Sequence, residues 1–108
     1  MFVNDCLNIN EKGHLTIGGC DTVELAKEYG TPLYVLDENT IRTTCRSYVE
    51  SFKKFYNGNG MPLYASKALS CKELCRIANE EHLGLDVVSG GEIYTAQQAG
   101  FPMEKTHF

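Results

Sequence analysis

No stretch of this sequence approaches the roughly 20 consecutive apolar residues that a membrane-spanning helix needs, and the longest basic cluster is only Lys53-Lys54. Met1-Phe2-Val3-Asn4-Asp5 has neither the basic start nor the apolar core of a secretory signal. With 14 acidic against 10 basic residues the formal net charge is −4, so there is no electrostatic footprint for nucleic acid or an anionic membrane. No Cys-x-x-Cys pair occurs, and the cysteines number five, an odd count that argues against a disulfide framework. Low-complexity tracts, linkers and short internal repeats are also missing. These absences point to a soluble, cytoplasmic chain. What is present is ordinary globular usage, 43% hydrophobic and 22% charged over 108 residues, about one small domain and not a disordered tail.

Leu15-Thr16-Ile17, preceded by His14 and closed by Gly18-Gly19, reads as a short strand and turn. Asp21, with Glu24 three positions on, is a capping-box start for a helix running to about Tyr29, where Gly30 and Pro32 stop it. From there strand-like and helix-like stretches alternate. Leu33-Tyr34-Val35-Leu36 is a compact apolar run of strand length. Asp37 caps a helix whose apolar stripe is Ile41, Cys45, Tyr48, Val49, Phe52 and Phe55. Gly58-Asn59-Gly60 breaks that helix, and Met61 to Ala65 forms the next strand, with Pro62 tolerated near its start.

Ser70-Cys71-Lys72-Glu73 has the form of another capping box, before a helix buried through Leu74, Ile77 and Ala78. Leu85-Asp86-Val87-Val88 is a further strand, Ser89-Gly90-Gly91 turns the chain into a helix ended by Gly100, and Thr106-His107-Phe108 begins another strand. Strands alternating with helices through short connections predict βαβ units and a parallel sheet. Because the chain stops as a strand begins, the expectation is a fragment of a longer α/β protein.

Ligands of parallel α/β folds bind at the carboxyl ends of the strands, which singles out Asp37, Ser66-Lys67, Asp86 and Ser89. Period-two alternation sets Met61, Leu63, Ala65 and Lys67 on one face. If that face meets the core, Lys67 is partly desolvated, which favours the free amine that imine chemistry needs. The competing reading is a solvated loop lysine. Asp86, inside an apolar run, calls for a partner, either Lys67 or a loop amide. Ser89-Gly90-Gly91 is a weak phosphate-binding signal and more simply a tight turn. Cys71 and Cys75, with His82, have a spacing that could begin a zinc site, but two small core hydrophobes is the simpler account.

Three blocks resemble the amino-terminal part of the pyridoxal-phosphate-dependent decarboxylases with an alanine-racemase-like barrel, and among them the diaminopimelate decarboxylases. They are Glu28-Tyr29-Gly30-Thr31-Pro32-Leu33-Tyr34-Val35 with Asp37-Glu38; Tyr64-Ala65-Ser66-Lys67-Ala68; and Gly84-Leu85-Asp86-Val87-Val88-Ser89-Gly90-Gly91-Glu92, running on to Ala99-Gly100-Phe101-Pro102. The second block alone is shared with ornithine and arginine decarboxylases; the third is closer to the diaminopimelate branch.

The resemblance implies that Lys67 holds pyridoxal phosphate as a Schiff base, that Ala65 packs under the ring, and that Asp86 lies beside both. Glu92 matches a family glutamate to which no step is assigned, and Ser66, where many relatives carry a larger apolar residue, is expected to point away from the cofactor. Fold and function follow in the same way. Residues 21–108 would be the first βα units of a (β/α)8 barrel, incomplete here, and residues 1–20 a strand segment packing with a carboxy-terminal β domain. The activity would be loss of carbon dioxide from meso-diaminopimelate to give L-lysine, in a homodimer, with no metal. The phosphate loop, the acid on the ring nitrogen and the catalytic cysteine and tyrosine would lie elsewhere, since none of the five cysteines matches by position. The 108 residues alone are expected to be inactive. Other readings are a relative acting on ornithine, arginine or carboxynorspermidine, a non-catalytic pyridoxal-phosphate-binding barrel, or a nucleotide-binding α/β domain, which leaves Lys67 unexplained.

Overall fold

The structure, a computed structural model, describes residues 2–108; Met1, at the head of the 1–20 segment, lies outside the described residues. The chain divides into two compact units, Met1–Ile41 and Arg42–Phe108.

In the first unit, β1 (Leu7–Ile9) and β2 (Leu15–Ile17) pair antiparallel, and β3 (Cys20–Asp21) folds back on β2. Ile17 pairs with Cys20 across Gly18 and Gly19, both left-handed at φ 56° and 83°, as a two-residue hairpin with a primed turn requires. Asp21 ends β3 and caps α1 (Thr22–Tyr29), accepting from the Val23 and Glu24 amides at 2.9 and 3.3 Å. Burial opposes ionisation of Asp21, but hydrogen bonds from His14, Asn10 and the two amides outweigh it and hold the carboxyl well below the usual carboxylate range. Gly30, at φ 81°, closes α1 through its N–H to the Ala26 carbonyl.

The expected strand at Leu33–Leu36 does not form: the run is irregular and has no ladder partner among the described residues, and Tyr34 is 97% exposed. Apolar, β-branched sequence favours a strand only where a neighbouring strand takes up its backbone N–H and C=O groups.

Helix α2 (Glu38–Tyr56) starts as expected from Asp37, whose carboxylate accepts from the Thr40 amide at 2.8 Å and the Thr40 hydroxyl at 2.5 Å. Those bonds hold the Asp37 carboxyl below its ordinary range. Asp37 is therefore a helix cap, which accounts for its position without a ligand.

The second unit is a three-stranded parallel sheet in the order β4 (Leu63–Ala65), β5 (Gly84–Asp86), β6 (Thr106–His107), with α3 (Lys72–Glu80) and α4 (Gly90–Gln98) as the intervening helices. The core is Cys75 and Ala78 of α3, Leu83, Leu85 and Val87 along β5 and its flanks, Ala96 of α4, and Phe101. Cys45 and Val49 of the α2 stripe pack against it, while Tyr48 and Phe55 of the same stripe stay exposed. The capping box expected at Ser70 does not form. Cys71 takes the cap position without a side-chain bond, and Glu73 pairs with Arg76 instead. Cys75 is a core hydrophobe, and among the described residues no group of three His, Cys, Asp or Glu side chains is placed to hold a metal ion.

Glu81, just past α3, is buried and accepts from Arg46 (2.7 Å to each oxygen) and from Arg42 (2.9 Å). Hydrogen bonds from Arg46 and then Arg42 draw its carboxyl down to about 2. A carboxylate depressed in the fold stabilises above its unfolded value, and that stabilisation is lost as pH falls through the folded value. Glu81→Gln is therefore expected to lower the thermal unfolding midpoint at pH 7. The gap to the parent should close between about 4.5 and about 2, the ordinary and the folded values for this group. A pH-independent gap would contradict this account.

Candidate functional site

The register brings three residues of separate strands into one row: Ala65 pairs with Asp86, and Asp86 with His107. Residues in register on parallel strands share a face. One residue earlier, Tyr64 pairs with Leu85, and it is that face which meets the helix-covered core. The expected orientation is thus reversed: Leu63 and Ala65 lie on the opposite face with Asp86, and Tyr64 turns inward. This also explains how Asp86 survives in an apolar run. The pleat sends Leu85 and Val87 into the core and leaves Asp86 half-buried on the other side.

Lys67 is not carried by the strand. β4 ends at Ala65, and Ser66–Ala68 form a single 3₁₀ turn, so the alternation that would bury Lys67 stops two residues short of it. Lys67 is exposed, and among the described residues no ion pair joins it to Asp86. Of the two readings of Lys67, the structure has the solvated lysine, and among the described residues neither Lys67 nor a loop amide bonds the Asp86 carboxylate. What the structure provides is an accessible primary amine at the carboxyl end of β4, one turn from the Ala65–Asp86–His107 row.

That turn is held from both sides. The Tyr64 hydroxyl donates to the Leu69 carbonyl at 2.9 Å, with burial pushing the phenol above its ordinary value. Ser66, 1% exposed, has its hydroxyl 2.8 Å from Glu92 Oε2 and 3.2 Å from the Asp86 carbonyl oxygen. Glu92 Oε2 also accepts from the Val88 amide at 2.8 Å, while Ser89 Oγ accepts from the Glu92 amide at 3.2 Å. Ser89 and Glu92 thus form a variant of the capping box at the start of α4, with the glutamate reaching the amide one residue before the cap. The Ser-x-x-Glu spacing at 89–92 was there to be read as this box. The further bond from Glu92 to Ser66 joins residues 26 apart and has no local signature.

The site residues suit a carbonyl compound at Lys67 in their donor chemistry: an accessible amine, a small Ala65 two residues before it, and two carboxylates, of which Asp86 has no side-chain hydrogen bond among the described residues. Ser89-Gly90-Gly91 adds little as a phosphate cradle, because Ser89 is spent on its own helix and a Cβ on Gly90 would meet nothing within 4 Å.

Residues 38–108 match the pyridoxal-binding domain of the pyridoxal-dependent decarboxylases. The whole chain is 51% identical to a diaminopimelate decarboxylase of Bacillus methanolicus, covering 25% of that protein, and 48% identical to one of Bacillus subtilis, covering 24% of it. Among solved structures, a diaminopimelate decarboxylase of M. jannaschii in complex with L-lysine is 38% identical with a TM-score of 0.83, over 98% of this chain and 25% of that one. The chain spans about a quarter of the length of the curated relatives it matches.

Proposed function

The chain belongs to the pyridoxal-dependent decarboxylases, and from that we infer that the full-length protein removes the carboxylate of meso-diaminopimelate to give L-lysine. The observation that carries this reading is Lys67: an accessible amine at the carboxyl end of a parallel strand, beside the Ala65–Asp86 row, within a domain type that binds pyridoxal. Pyridoxal phosphate, when bound, supplies the electron sink that a departing carboxylate requires.

The remaining work is done by side chains. Lys67 Nζ would be the group that holds the cofactor. The methyl group of Ala65 is small enough to leave room for a flat ring. Asp86 sets a carboxylate on the same face of the sheet as Ala65. In the full-length protein the β4–β5–β6 sheet is part of an eight-stranded barrel. Residues 1–20 pack with a carboxy-terminal β domain, and the enzyme works as a cytoplasmic homodimer. Among the described residues no helix is long and apolar enough to cross a membrane.

The test uses the full-length protein loaded with pyridoxal phosphate. Borohydride reduction followed by peptide mapping should place the label on Lys67, and carbon dioxide should be released from meso-diaminopimelate faster than from ornithine or arginine. A label on another lysine sinks the site. Faster release from ornithine or arginine sinks the substrate.

A further inference from the structure

We propose that Ser66 is a positioning residue for Lys67, acting through Glu92. The inference rests on reading Lys67 as the cofactor lysine and goes beyond it by assigning work to its neighbour.

Lys67 sits on a one-turn 3₁₀ segment that leaves a three-residue strand, a short and exposed support for a side chain that has to hold a group in one place. A turn of that kind has few backbone bonds of its own, so its position depends on what its side chains grip. Ser66 is the turn's fully buried member, and its hydroxyl reaches away from the turn to the α4 glutamate and the β5 carbonyl. A hydroxyl has one proton to give, and the 2.8 Å contact to a carboxylate oxygen outranks the 3.2 Å contact to a neutral carbonyl.

Glu92 is itself fixed, because the same Oε2 accepts the Val88 amide at 2.8 Å. One carboxylate oxygen thus ties the lysine turn after β4 to the turn after β5, the two strand ends where the candidate site lies. Oε1 has no hydrogen bond among the described residues, so the brace uses half of the carboxylate. Loss of the Ser66 hydroxyl would leave the Tyr64 bond to Leu69, on the far side, as the side-chain hydrogen bond still flanking the Lys67 turn among the described residues. Lys67 would keep its chemistry and lose its placement.

A serine that only holds the fold together and a serine that places the lysine differ in what its loss changes. The experiment compares the full-length protein with Ser66→Ala, Glu92→Ala, the double variant, and Cys75→Ala, which removes a core side chain that takes no part in the Ser66–Glu92–Val88 hydrogen bonds. The readouts are the dissociation constant for pyridoxal phosphate, the pH midpoint of the lysine-bound visible absorption, and the unfolding midpoint. Ser66→Ala is expected to keep the reducible label on Lys67 while weakening binding about tenfold, as for a lost hydrogen bond to a charged group. It should also move the absorption midpoint by about half a pH unit or more. Glu92→Ala should do at least the same, and the double variant should be no worse than Glu92→Ala, since both remove one interaction. Cys75→Ala should lower the unfolding midpoint with binding and absorption unchanged.

Ser66→Ala with a lowered unfolding midpoint but parental binding and absorption overturns the proposal, as does additivity in the double variant. If Ser66→Ala does not fold, Glu92→Ala reads the same brace from α4. Absence of a label on Lys67 in the unsubstituted protein is a different result: it condemns the cofactor-lysine reading and not the brace.

Discussion

Lys67→Ala in the full-length protein is expected to abolish the lysine-bound visible absorption of pyridoxal phosphate and to cut decarboxylation at least about a thousandfold, the scale on which loss of a covalent catalytic group is felt. Because the side chain is exposed, and no salt bridge of the described residues includes it, its removal leaves no buried charge behind. The unfolding midpoint should therefore stay close to the parent's. Lys67→Arg is the sharper variant. It keeps the cation and most of the length, but a guanidinium stays protonated at any working pH and does not offer a free amine. If the lysine acted only as a positive charge near an anionic substrate, arginine would restore much of the rate. Under the covalent reading it should be as inactive as alanine. Substantial activity in Lys67→Arg would mean that the residue contributes charge and not a bond.

Much of the frame was legible because the signals were local. Asp21 and Asp37 cap their helices as their spacing implied, and Gly18-Gly19 makes the turn it was read to make. The alternation from Met61 onward became a parallel sheet with the helices between its strands. What the sequence does not carry is non-local. Leu33–Leu36 has strand composition, yet composition does not supply a partner strand. Hydrophobicity alone does not orient β4, because Leu63, Tyr64 and Ala65 are all compatible with a core. Only the register of Tyr64 against Leu85 shows which face the helices cover. A two-residue period does not carry past the point where the strand stops, and the onset of a 3₁₀ turn at Ser66 has no marker in Ala-Ser-Lys-Ala. The Ser66–Glu92 bond and the arrival of His107 beside Asp86 are products of the sheet, and no spacing along the chain encodes them.

The largest expected effect on folding belongs to Gly84. It opens β5, the central strand, and registers with Leu63 on the face that also carries Ala65 and Asp86. A Cβ there would come to 2.5 Å from Leu63 Cδ2, 2.9 Å from Met61 Cε and 2.7 Å from the backbone oxygen of Lys105. The two side chains can turn away. The Lys105 carbonyl cannot, because it belongs to the backbone leading into β6, and the Gly84 amide is meanwhile bound to the Pro62 carbonyl at 3.0 Å. Relief requires one neighbouring backbone segment to move out of register, so Gly84→Ala is expected to cost about 3 kcal/mol of stability, the upper part of the usual range for overpacking. Gly84→Val should cost more.

Gly90→Ala is the matched comparison. A Cβ there meets nothing within 4 Å and the residue is the first of α4, so the change should be neutral or slightly stabilising. Urea unfolding of both variants in the full-length protein separates the two cases. Equal midpoints would mean that the sheet yields at Gly84, and that the close approach of β5 to the Lys105 carbonyl is not a constraint. A large loss at Gly84 alone would mean that the approach is fixed by the absent side chain. The Ala65–Asp86–His107 row depends on that same spacing, so this glycine then supports the site without touching it.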